Sequence, residues 1–274
     1  MSKVWFITGT SRGFGREWTA AALERGDKVA ATARDTGTLK DLAEKYGDRL
    51  LPIKLDVTDR AAAFAAVKKA HEAFGRLDVV VNNAGYGLFG MIEEVSEAEA
   101  RAQLETNVFG ALWVTQAALP FLRAQKSGHI LQVSSIGGIT AFPGIGLYHA
   151  SKWALEGFSQ SLAGEVAEFG IHVTLIEPGG FETDWSGSSA VHAKANPAYE
   201  HLREKMAGAR KTGIGKRGDP TATAEAIFKV VDAKEPPLRT FLGTAPLGLA
   251  KADYEKRLAT WEAWDAVAKA AQGS

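Results

Sequence analysis

The chain has 274 residues, with 32 basic and 32 acidic side chains and a sequence pI near 7.0. This neutral balance gives no overall field that would draw the protein to nucleic acid or to an anionic membrane. The absence of cysteine excludes disulfides, thiolate metal sites and a cysteine nucleophile. The histidines show neither i,i+4 pairing nor an HExxH pattern, so the sequence predicts no metal site.

The N-terminal stretch MSKVWFITG passes directly into a short apolar run and lacks the long apolar region and cleavage site of a signal peptide. The longest apolar runs elsewhere are far shorter than the roughly 20 residues that span a bilayer. We therefore expect a cytoplasmic protein that acts on a small molecule, with no nucleic-acid or membrane partner.

Short β-branched and apolar runs recur along the chain, and stretches with helical periodicity separate them. The runs are VWFITG, KVAATAR, LLPIKLD, LDVVVNNAG, GHILQVSS, IHVTLIEPG and LRTFLG, and the helical stretches cover 14–25, 59–74, 97–125, 150–169 and 221–234. Apolar strands that alternate with helices are typical of a parallel sheet covered on both faces. The sequence thus predicts an α/β, doubly wound (Rossmann-type), mostly parallel sheet of about seven strands with helices on both faces.

The long stretch 97–125 contains signals for both a helix start and a helix end. Ser96 and Glu99 have the spacing of a capping box, which predicts that a helix opens here. Pro120 lies inside the same stretch, and we expect it to kink or end the helix.

The last third of the chain departs from the alternation of strands and helices. Residues 185–217 form a polar, glycine-containing insertion, and the tail reads as a helix that includes Trp261 and Trp264. Neither stretch is long enough for a separate domain. We predict one domain over residues 1–274, with a substrate-lid insertion at about 185–217 and a C-terminal helical extension at about 246–274.

A glycine-rich turn, TGTSRGFG, joins the first strand to the first helix. Gly9, Gly13 and Gly15 permit a tight turn and a close approach of the backbone to a pyrophosphate at the positive helix N-terminus. A plain strand-to-helix turn is the alternative for any lone motif of this kind. The spacing is GxxxGxG rather than the general GxGxxG, but the position after the first strand of a βαβ pattern favours a dinucleotide site.

The end of the second strand indicates which dinucleotide is preferred. The general fingerprint expects an acidic residue there, which bonds the ribose hydroxyls and repels a 2′-phosphate. Here Ala33 takes that position and Arg34 follows, with Arg12 in reach from the glycine-rich turn. Two guanidinium groups around one phosphate favour NADP(H) over NAD(H). If the alignment slips by two residues, Asp35 becomes the ribose acid and the preference weakens.

Tyr148 and Lys152 stand four residues apart in GLYHASKWALEG, so they share one face of a helix. Taken alone, the pair fits either a surface contact or a proton donor beside the charge that activates it. A free tyrosine, with a pKa of about 10, is a poor acid at neutral pH, and a neighbouring cation lowers that pKa. Such a pair could serve in general acid and base catalysis.

The sequence resembles the short-chain dehydrogenase/reductase family from about residue 3 to residue 243. The resemblance rests on the order and spacing of TGTSRGFG, LDVTD, NNAG, Asn107, Ser135, YHASK and EPGGFET. It implies a doubly wound fold, a nicotinamide cofactor and hydride transfer between an alcohol and a carbonyl compound. It also implies a homodimer or homotetramer.

The resemblance assigns a role to each residue of a catalytic tetrad. Tyr148 is the acid and base, and Lys152 activates it while binding the nicotinamide ribose. Ser135 hydrogen-bonds the substrate oxygen, with Ser134 as a competing neighbour. Asn107 holds a water that links the lysine to solvent.

Cofactor contacts follow from the same resemblance. They are assigned to Gly9, Ser11, Arg12, Gly13, Phe14, Gly15, Arg34, Asp56, Val57, Asn83, Ala84, Gly85, Tyr148, Lys152, Pro178, Gly179, Phe181 and Thr183. Asp56 is expected to bond the adenine amino group and also to cap a helix beginning near Thr58. Thr183 is expected to contact the nicotinamide carboxamide. Asn82 and Asn83 have an alternative, purely structural role.

Mostly apolar and aromatic residues are expected to face the reacting carbon. They are Tyr86, Phe89, Gly137, Phe142, Leu147, Phe181 and Trp185, although several of them could pack into the core instead. His149 is expected to point away from the site. The sequence therefore predicts an NADP(H)-dependent oxidoreductase for lipophilic or aryl ketones, aldehydes or the corresponding alcohols. The alternatives are an NADP(H)-binding regulatory or scaffold protein without turnover and a sugar-nucleotide epimerase or dehydratase.

Overall fold

The computed structural model describes residues 2–187, 189–213 and 217–273, so residues 1, 188, 214–216 and 274 of the predicted domain and lid lie outside the described residues. Seven parallel strands of the described residues form the central sheet: β1 (Val4–Thr8), β2 (Lys28–Ala33), β3 (Leu50–Lys54), β4 (Val79–Asn82), β6 (Gly128–Val133), β7 (Ile171–Pro178) and β9 (Arg239–Leu242). Across the sheet they stand in the order β3-β2-β1-β4-β6-β7-β9. β5 (Leu88–Phe89) and β8 (Val191–His192) pair separately as a short parallel ladder. The predicted sheet of about seven strands is confirmed.

Helices cover both faces of this sheet. They are α1 (Gly13–Glu24), α2 (Lys40–Tyr46), α3 (Arg60–Phe74), α4 (Glu97–Leu104), α5 (Gly110–Gln125), α6 (Gly146–Val166), α7 (Glu200–Gly213), α8 (Thr223–Asp232), α9 (Pro246–Ala263) and α10 (Asp265–Ala271). Alternate residues of β1 serve the two faces, as a strand's period of two requires. Val4 and Phe6 pack in one core cluster with α3, α5 and α6, whereas Trp5 and Ile7 pack in another with α1, α2 and α8.

The stretch 97–125 differs from the prediction at its centre and at its proline. Ser96 and Glu99 form the expected capping box. A π-helical turn at Glu105–Phe109 then separates α4 from α5. The helix does not end at Pro120, because α5 continues to Gln125 and buries an apolar face against the sheet and α3. This tertiary packing outweighs the one backbone hydrogen bond that proline removes.

The regions predicted to be a lid insertion and a C-terminal extension contain β8, α7, α9 and α10. Within the insertion, β8 pairs with β5, and α7 follows it. The tail forms α9 and α10 with a break at Trp264, and the side chains of Trp261 and Trp264 are exposed, so they do not cover the pocket. Among the described residues, no helix has the length and hydropathy needed to cross a membrane.

Candidate active site

The glycine-rich turn after β1 is held tightly against the end of β4. Asn83 donates from Nδ2 to the carbonyl oxygens of Thr8 and Gly9, at 2.9 and 3.0 Å. Gly9 has a φ of +68°, and a side-chain carbon on it would stand 2.8 Å from Ala84 Cα. A carbon on Gly15 would overlap both Gly9 O and Asn83 Nδ2. The glycines are therefore required by the contact between these two loops, and Asn83 has a structural role here as well as its predicted one.

The N-terminus of α1 follows directly from this turn. Gly13 is its first residue, and the nearest atoms to a carbon added there belong to Thr183, at 3.9 Å. Ser11 is half-buried, and the Phe14 ring stacks on Trp18 at 5.3 Å. Space beside Gly13 and free N–H groups at a helix start are the features that a pyrophosphate site needs.

The adenosine end of the proposed site is polar and exposed. Ala33 ends β2 and is buried, and Arg34 follows it as an exposed side chain. The carboxylate of Asp35 accepts from the backbone N–H of Gly37 at 2.9 Å, where it caps a short 3-10 helix. Arg12 lies 3.5 Å from Asp184, and both side chains are about half exposed. Asp35, the acid that would favour NAD(H) if the alignment slips by two residues, thus bonds a backbone N–H group of its own turn.

Asp56 and Val57 lie at the end of β3, as expected for the adenine contacts. Asp56 is exposed and accepts hydrogen bonds from both the N–H and the hydroxyl group of Thr58. The expected cap is wrong, since α3 begins at Arg60 and Asp59 is its N-cap. Val57 is buried against Gly110 of α5.

Tyr148 and Lys152 are both buried near the N-terminus of α6, each with 6% of its surface exposed. Lys152 Nζ donates to the Val133 carbonyl oxygen at 2.7 Å and lies 5.8 Å from the centre of the Tyr148 ring. Ser135 lies close enough to Tyr148 to influence its pKa, and it accepts from the Gly137 N–H at 3.0 Å. The structure therefore brings the serine, tyrosine and lysine together at the carboxyl end of β6.

The pKa values in this group are set mainly by burial. Burial raises the pKa of Tyr148 to about 12, and the hydrogen bond with Ser135 opposes that shift. Burial also lowers the pKa of Lys152 to about 8, opposed by the charge of Glu156. The lowered tyrosine pKa expected from the sequence is thus wrong for this structure, because Lys152 is turned to Val133 and is itself desolvated.

Ser134 and Ser135, the two candidates for bonding the substrate oxygen, have different surroundings. Ser134 is buried, and no group among the described residues hydrogen-bonds to its hydroxyl oxygen. A carbon added to Gly138 would stand 2.6 Å from that oxygen and 3.3 Å from Glu156 Oε1, so the Ser134 hydroxyl lies against Gly138 on the Glu156 side. His149 is also buried, and it bonds Gly137 O and the Phe142 N–H, so it braces the loop instead of facing the site.

Asn107 is placed by the π-helical turn. Its amide group bonds both the N–H and the carbonyl oxygen of Tyr86 at 3.1 Å, and it donates to Ser151 Oγ at 3.0 Å. A carbon added to Gly85 would stand 3.0 Å from Asn107 Oδ1 and 3.7 Å from Lys152 Nζ. Gly85 therefore lies against both polar groups. π-turns are often found at functional sites.

The segment after β7 lies between the glycine-rich turn and the substrate side. Pro178 ends the strand, and Gly179 packs against Pro246 of α9. Phe181 is half-buried, makes an edge contact with Phe14 at 5.2 Å and packs against a core cluster. Thr183 lies beside Gly13.

An aromatic group covers Tyr148 on the substrate side. The Trp185 ring lies 4.9 Å from the Tyr148 ring and 5.2 Å from the Phe89 ring. His192 of β8 stacks on Phe89 at 5.0 Å, a contact that the sequence analysis missed. The pairing of β5 with β8 creates it, and two-residue strands give no sequence signal. Of the other expected lining residues, Tyr86 and Leu147 are half-buried, Phe142 is exposed and packs beside His149, and Gly137 is buried.

A doubly wound parallel sheet whose glycine-rich turn opens a helix is typical of dinucleotide-binding proteins. The chain matches the family model of short chain dehydrogenases over residues 3–193. It is 45% identical over 266 residues to oxidoreductase BOA17 of Botryotinia fuckeliana (strain B05.10), covering 96% of this chain and 97% of the relative. A crystal structure of a short-chain dehydrogenase from Streptomyces avermitilis is 38% identical, with a TM-score of 0.91 and 98% of each chain covered. This chain belongs to the short-chain dehydrogenase family of oxidoreductases.

Structurally similar proteins bind both kinds of nicotinamide cofactor. An alcohol dehydrogenase from Thermococcus sibiricus complexed with 5-hydroxy-NADP is 27% identical, with a TM-score of 0.74 and coverage of 88% of this chain and 96% of that one. A short chain dehydrogenase/reductase from Burkholderia phymatum in complex with NAD is 25% identical, with a TM-score of 0.81 and coverage of 94% and 95%. Membership of the family therefore does not decide between NADP(H) and NAD(H).

Proposed function

We propose that this protein transfers a hydride between NADP(H) and a lipophilic or aryl ketone or aldehyde, or the corresponding alcohol. The main support is that Ser135 and Lys152 lie beside Tyr148 and that the Trp185 ring packs 4.9 Å from the Tyr148 ring. The experiment that tests it follows NADPH and NADH oxidation across a panel of aromatic and aliphatic ketones and aldehydes. Turnover that prefers NADPH supports the proposal. Tight NADPH binding without turnover of any carbonyl or alcohol would instead favour a binding protein.

The chain's own residues supply the proton chemistry, and the cofactor supplies or accepts the hydride when it is bound. Burial raises the pKa of Tyr148 to about 12, so the side chain holds its proton at neutral pH and can donate it only as the carbonyl oxygen becomes an alkoxide, which is the stronger base. Ser135 donates a second hydrogen bond to the same oxygen and so stabilises that charge. Lys152 and Asn107 fix the groups around Tyr148. Lys152 donates to the Val133 carbonyl oxygen, and Asn107 bonds the Tyr86 backbone and the Ser151 hydroxyl group.

The preference for NADP(H) is supported by the end of β2. A carboxylate beside a 2′-phosphate would repel it, and Ala33 carries none, while Asp35 bonds the Gly37 N–H. Arg34 is exposed at the strand end, and Arg12 projects from the glycine-rich turn. A guanidinium–phosphate contact is worth about 1.5–3 kcal/mol.

Replacing Arg34 by alanine should weaken NADPH binding by about 10- to 100-fold and leave NADH binding within about twofold, because only the former has the 2′-phosphate. Fluorescence titration of both cofactors measures this. Arg16→Ala is the matched control, since Arg16 is bound to Thr38 O and Asp41 on the neighbouring surface. Equal losses for both cofactors in Arg34→Ala would show that Arg34 does not recognise the phosphate.

The preference for lipophilic or aryl substrates is supported by Trp185 and Phe89. Replacing Trp185 by alanine should raise KM for an aryl ketone by about tenfold, because one aromatic contact contributes about 0.5–1.5 kcal/mol beyond the area it buries. A small aliphatic ketone should be affected far less. Phe142→Ala is the control, since Phe142 is exposed and packs beside His149. An equal rise for both substrates would contradict an aromatic recognition role for Trp185.

A further inference from the structure

Two buried carboxyl groups, one of them a helical turn from Lys152, have no part in the reaction proposed above. Glu156 follows Lys152 by four residues on α6, so the two side chains share one helix face. Glu177 lies on β7, and its side chain is completely buried. Only 8% of the Glu156 side chain is exposed. Acidic residues are almost never buried in this way unless they are paired.

A single guanidinium serves both carboxyl groups. Arg239 on β9 donates to Glu156 Oε2 at 2.9 Å, and the same Nε lies 3.4 Å from Glu177 Oε1. The Nη2 atom of Arg239 donates to Gln160 Oε1 at 2.8 Å. No donor group among the described residues hydrogen-bonds to Glu156 Oε1 or to either oxygen of Glu177. Among the described residues, Arg239 is therefore the one cation in direct contact with both carboxyl groups.

Two full negative charges cannot be stabilised in this buried place by one shared cation. Retaining one proton removes a charge and also provides the donor that the oxygens lack. Burial and the charge of Glu156 raise the pKa of Glu177 to about 8, and the positive charge of Arg239 opposes this shift. At neutral pH the pair therefore retains one proton and carries a single negative charge.

We propose that Glu156 and Glu177 share one proton, and that the remaining charge makes Glu156 a positioning residue that keeps the Lys152 amine protonated. Glu156 does not touch the substrate and acts only through the lysine. Its charge is the influence that opposes the effect of burial on the Lys152 pKa. The catalytic consequence of this inference rests on the proposed function, whereas the sharing of the proton does not.

The charged and titratable groups that face the pair come from three neighbouring elements. They are Lys152 on α6, Arg239 on β9, and Lys251 and Tyr254 on α9. Lys251 and Tyr254 line, together with Glu177, a cavity of about 320 Å³. The glutamate variants described below leave all of these groups in place, so each tests the carboxyl pair alone.

The shared proton is tested by the pH dependence of stability. The pKa of Glu177 is about 8 in the folded chain against an ordinary 4.5, so the folded state binds the extra proton between these values. The wild type should therefore lose stability relative to Glu177→Gln as pH rises from about 5 to about 8, by several degrees in Tm. The lowered pKa values of His129 and His149 give the opposite slope, and they do so equally in both proteins. The lowered pKa of Lys152 acts only above about pH 8, outside this window. If Tm changes equally with pH in the wild type and in Glu177→Gln, the two carboxyl groups do not share a proton.

The action on Lys152 is tested by NMR of ¹³Cε-labelled lysine, with the signal assigned by its absence in Lys152→Met. Glu156→Gln should move the Lys152 titration midpoint down by roughly one pH unit. The alkaline limb of kcat/KM for carbonyl reduction should move with it, whereas a merely structural defect would lower kcat/KM equally at every pH. Glu156→Asp keeps the charge, so its Lys152 titration midpoint should lie close to that of the wild type. Glu165→Gln is the matched control on an exposed position of α6.

These readouts separate failure of this inference from failure of the proposed function. An unchanged Lys152 midpoint in folded Glu156→Gln overturns the inference whether or not the enzyme turns over. A wild type that reduces no carbonyl, but whose midpoint shifts as expected, contradicts only the proposed function. If Glu156→Gln does not fold, infrared spectra of the wild type and Glu177→Gln at pH 7 show whether the pair holds a proton. A protonated carboxyl absorption in the wild type that is lost in Glu177→Gln supports the inference, and its absence from the wild type overturns it.

Discussion

Replacing Tyr148 by phenylalanine should lower kcat for carbonyl reduction by about 10³-fold, within the 10²- to 10⁴-fold range of general acid catalysis. The ring keeps its contact with Trp185, so only the proton donor is lost. NADPH affinity should stay within about twofold, because the glycine-rich turn and the lysine are unchanged. NADPH oxidation measures the rate, and fluorescence titration measures the binding.

Tyr86→Phe is the matched control for this change, since it removes a hydroxyl group from a half-buried ring in the same region. Its kcat should stay within a few-fold of the wild-type value. Near wild-type turnover by Tyr148→Phe would show that another group donates the proton. If wild type and variant both bind NADPH tightly and neither has activity, the binding-protein alternative gains support.

Replacing Gly15 by alanine should weaken NADPH binding at least tenfold and lower the free energy of unfolding by about 1–3 kcal/mol, the usual range for overpacking. The added carbon would overlap Gly9 O and Asn83 Nδ2, and neither atom can move freely. Asn83 is fixed by bonds to Thr8 O and Gly9 O, so the loops must separate to make room. Fluorescence titration and chemical denaturation measure the two effects.

Gly248→Ala is the control for that substitution, because nothing lies within 4 Å of a carbon added there. A methyl group in this exposed turn of α9 should leave cofactor affinity unchanged and should not reduce stability. If Gly15→Ala binds NADPH as tightly as wild type, the two loops are more tolerant than their contacts indicate, and the turn does not position the cofactor.

The fold was largely predictable because local pattern and tertiary structure agree along most of the chain. Runs such as VWFIT are apolar throughout and become strands buried on both faces, and the capping box at Ser96 opens α4 as expected. The family motifs also gave the positions of Tyr148 and Lys152, which share a buried helix face. The chemical roles of these residues remain predictions until the variants are measured.

The remainder depends on contacts that no local pattern encodes. Pro120 stays inside α5 because apolar packing holds the helix on both sides of it. The buried state of Glu177 depends on Arg239, which arrives from a strand far along the chain. An acidic residue inside the apolar run VTLIEPG was the available signal, since a carboxyl group there needs an explanation. The direction of the Tyr148 pKa shift likewise required the burial of both side chains to be known.

The order of the strands also has a consequence for how the chain folds. Adjacent strands of a parallel sheet cannot be joined by tight hairpins, so each pairing closes a long loop and folding is slow. Here the first four strands of the chain occupy the contiguous half β3-β2-β1-β4 of the sheet. Residues 4–82 can therefore assemble among themselves during synthesis, before β6, β7 and β9 leave the ribosome. Until then, the edge of β4 that later pairs with β6 is open to other chains, so slower synthesis and lower temperature should favour recovery of the native protein.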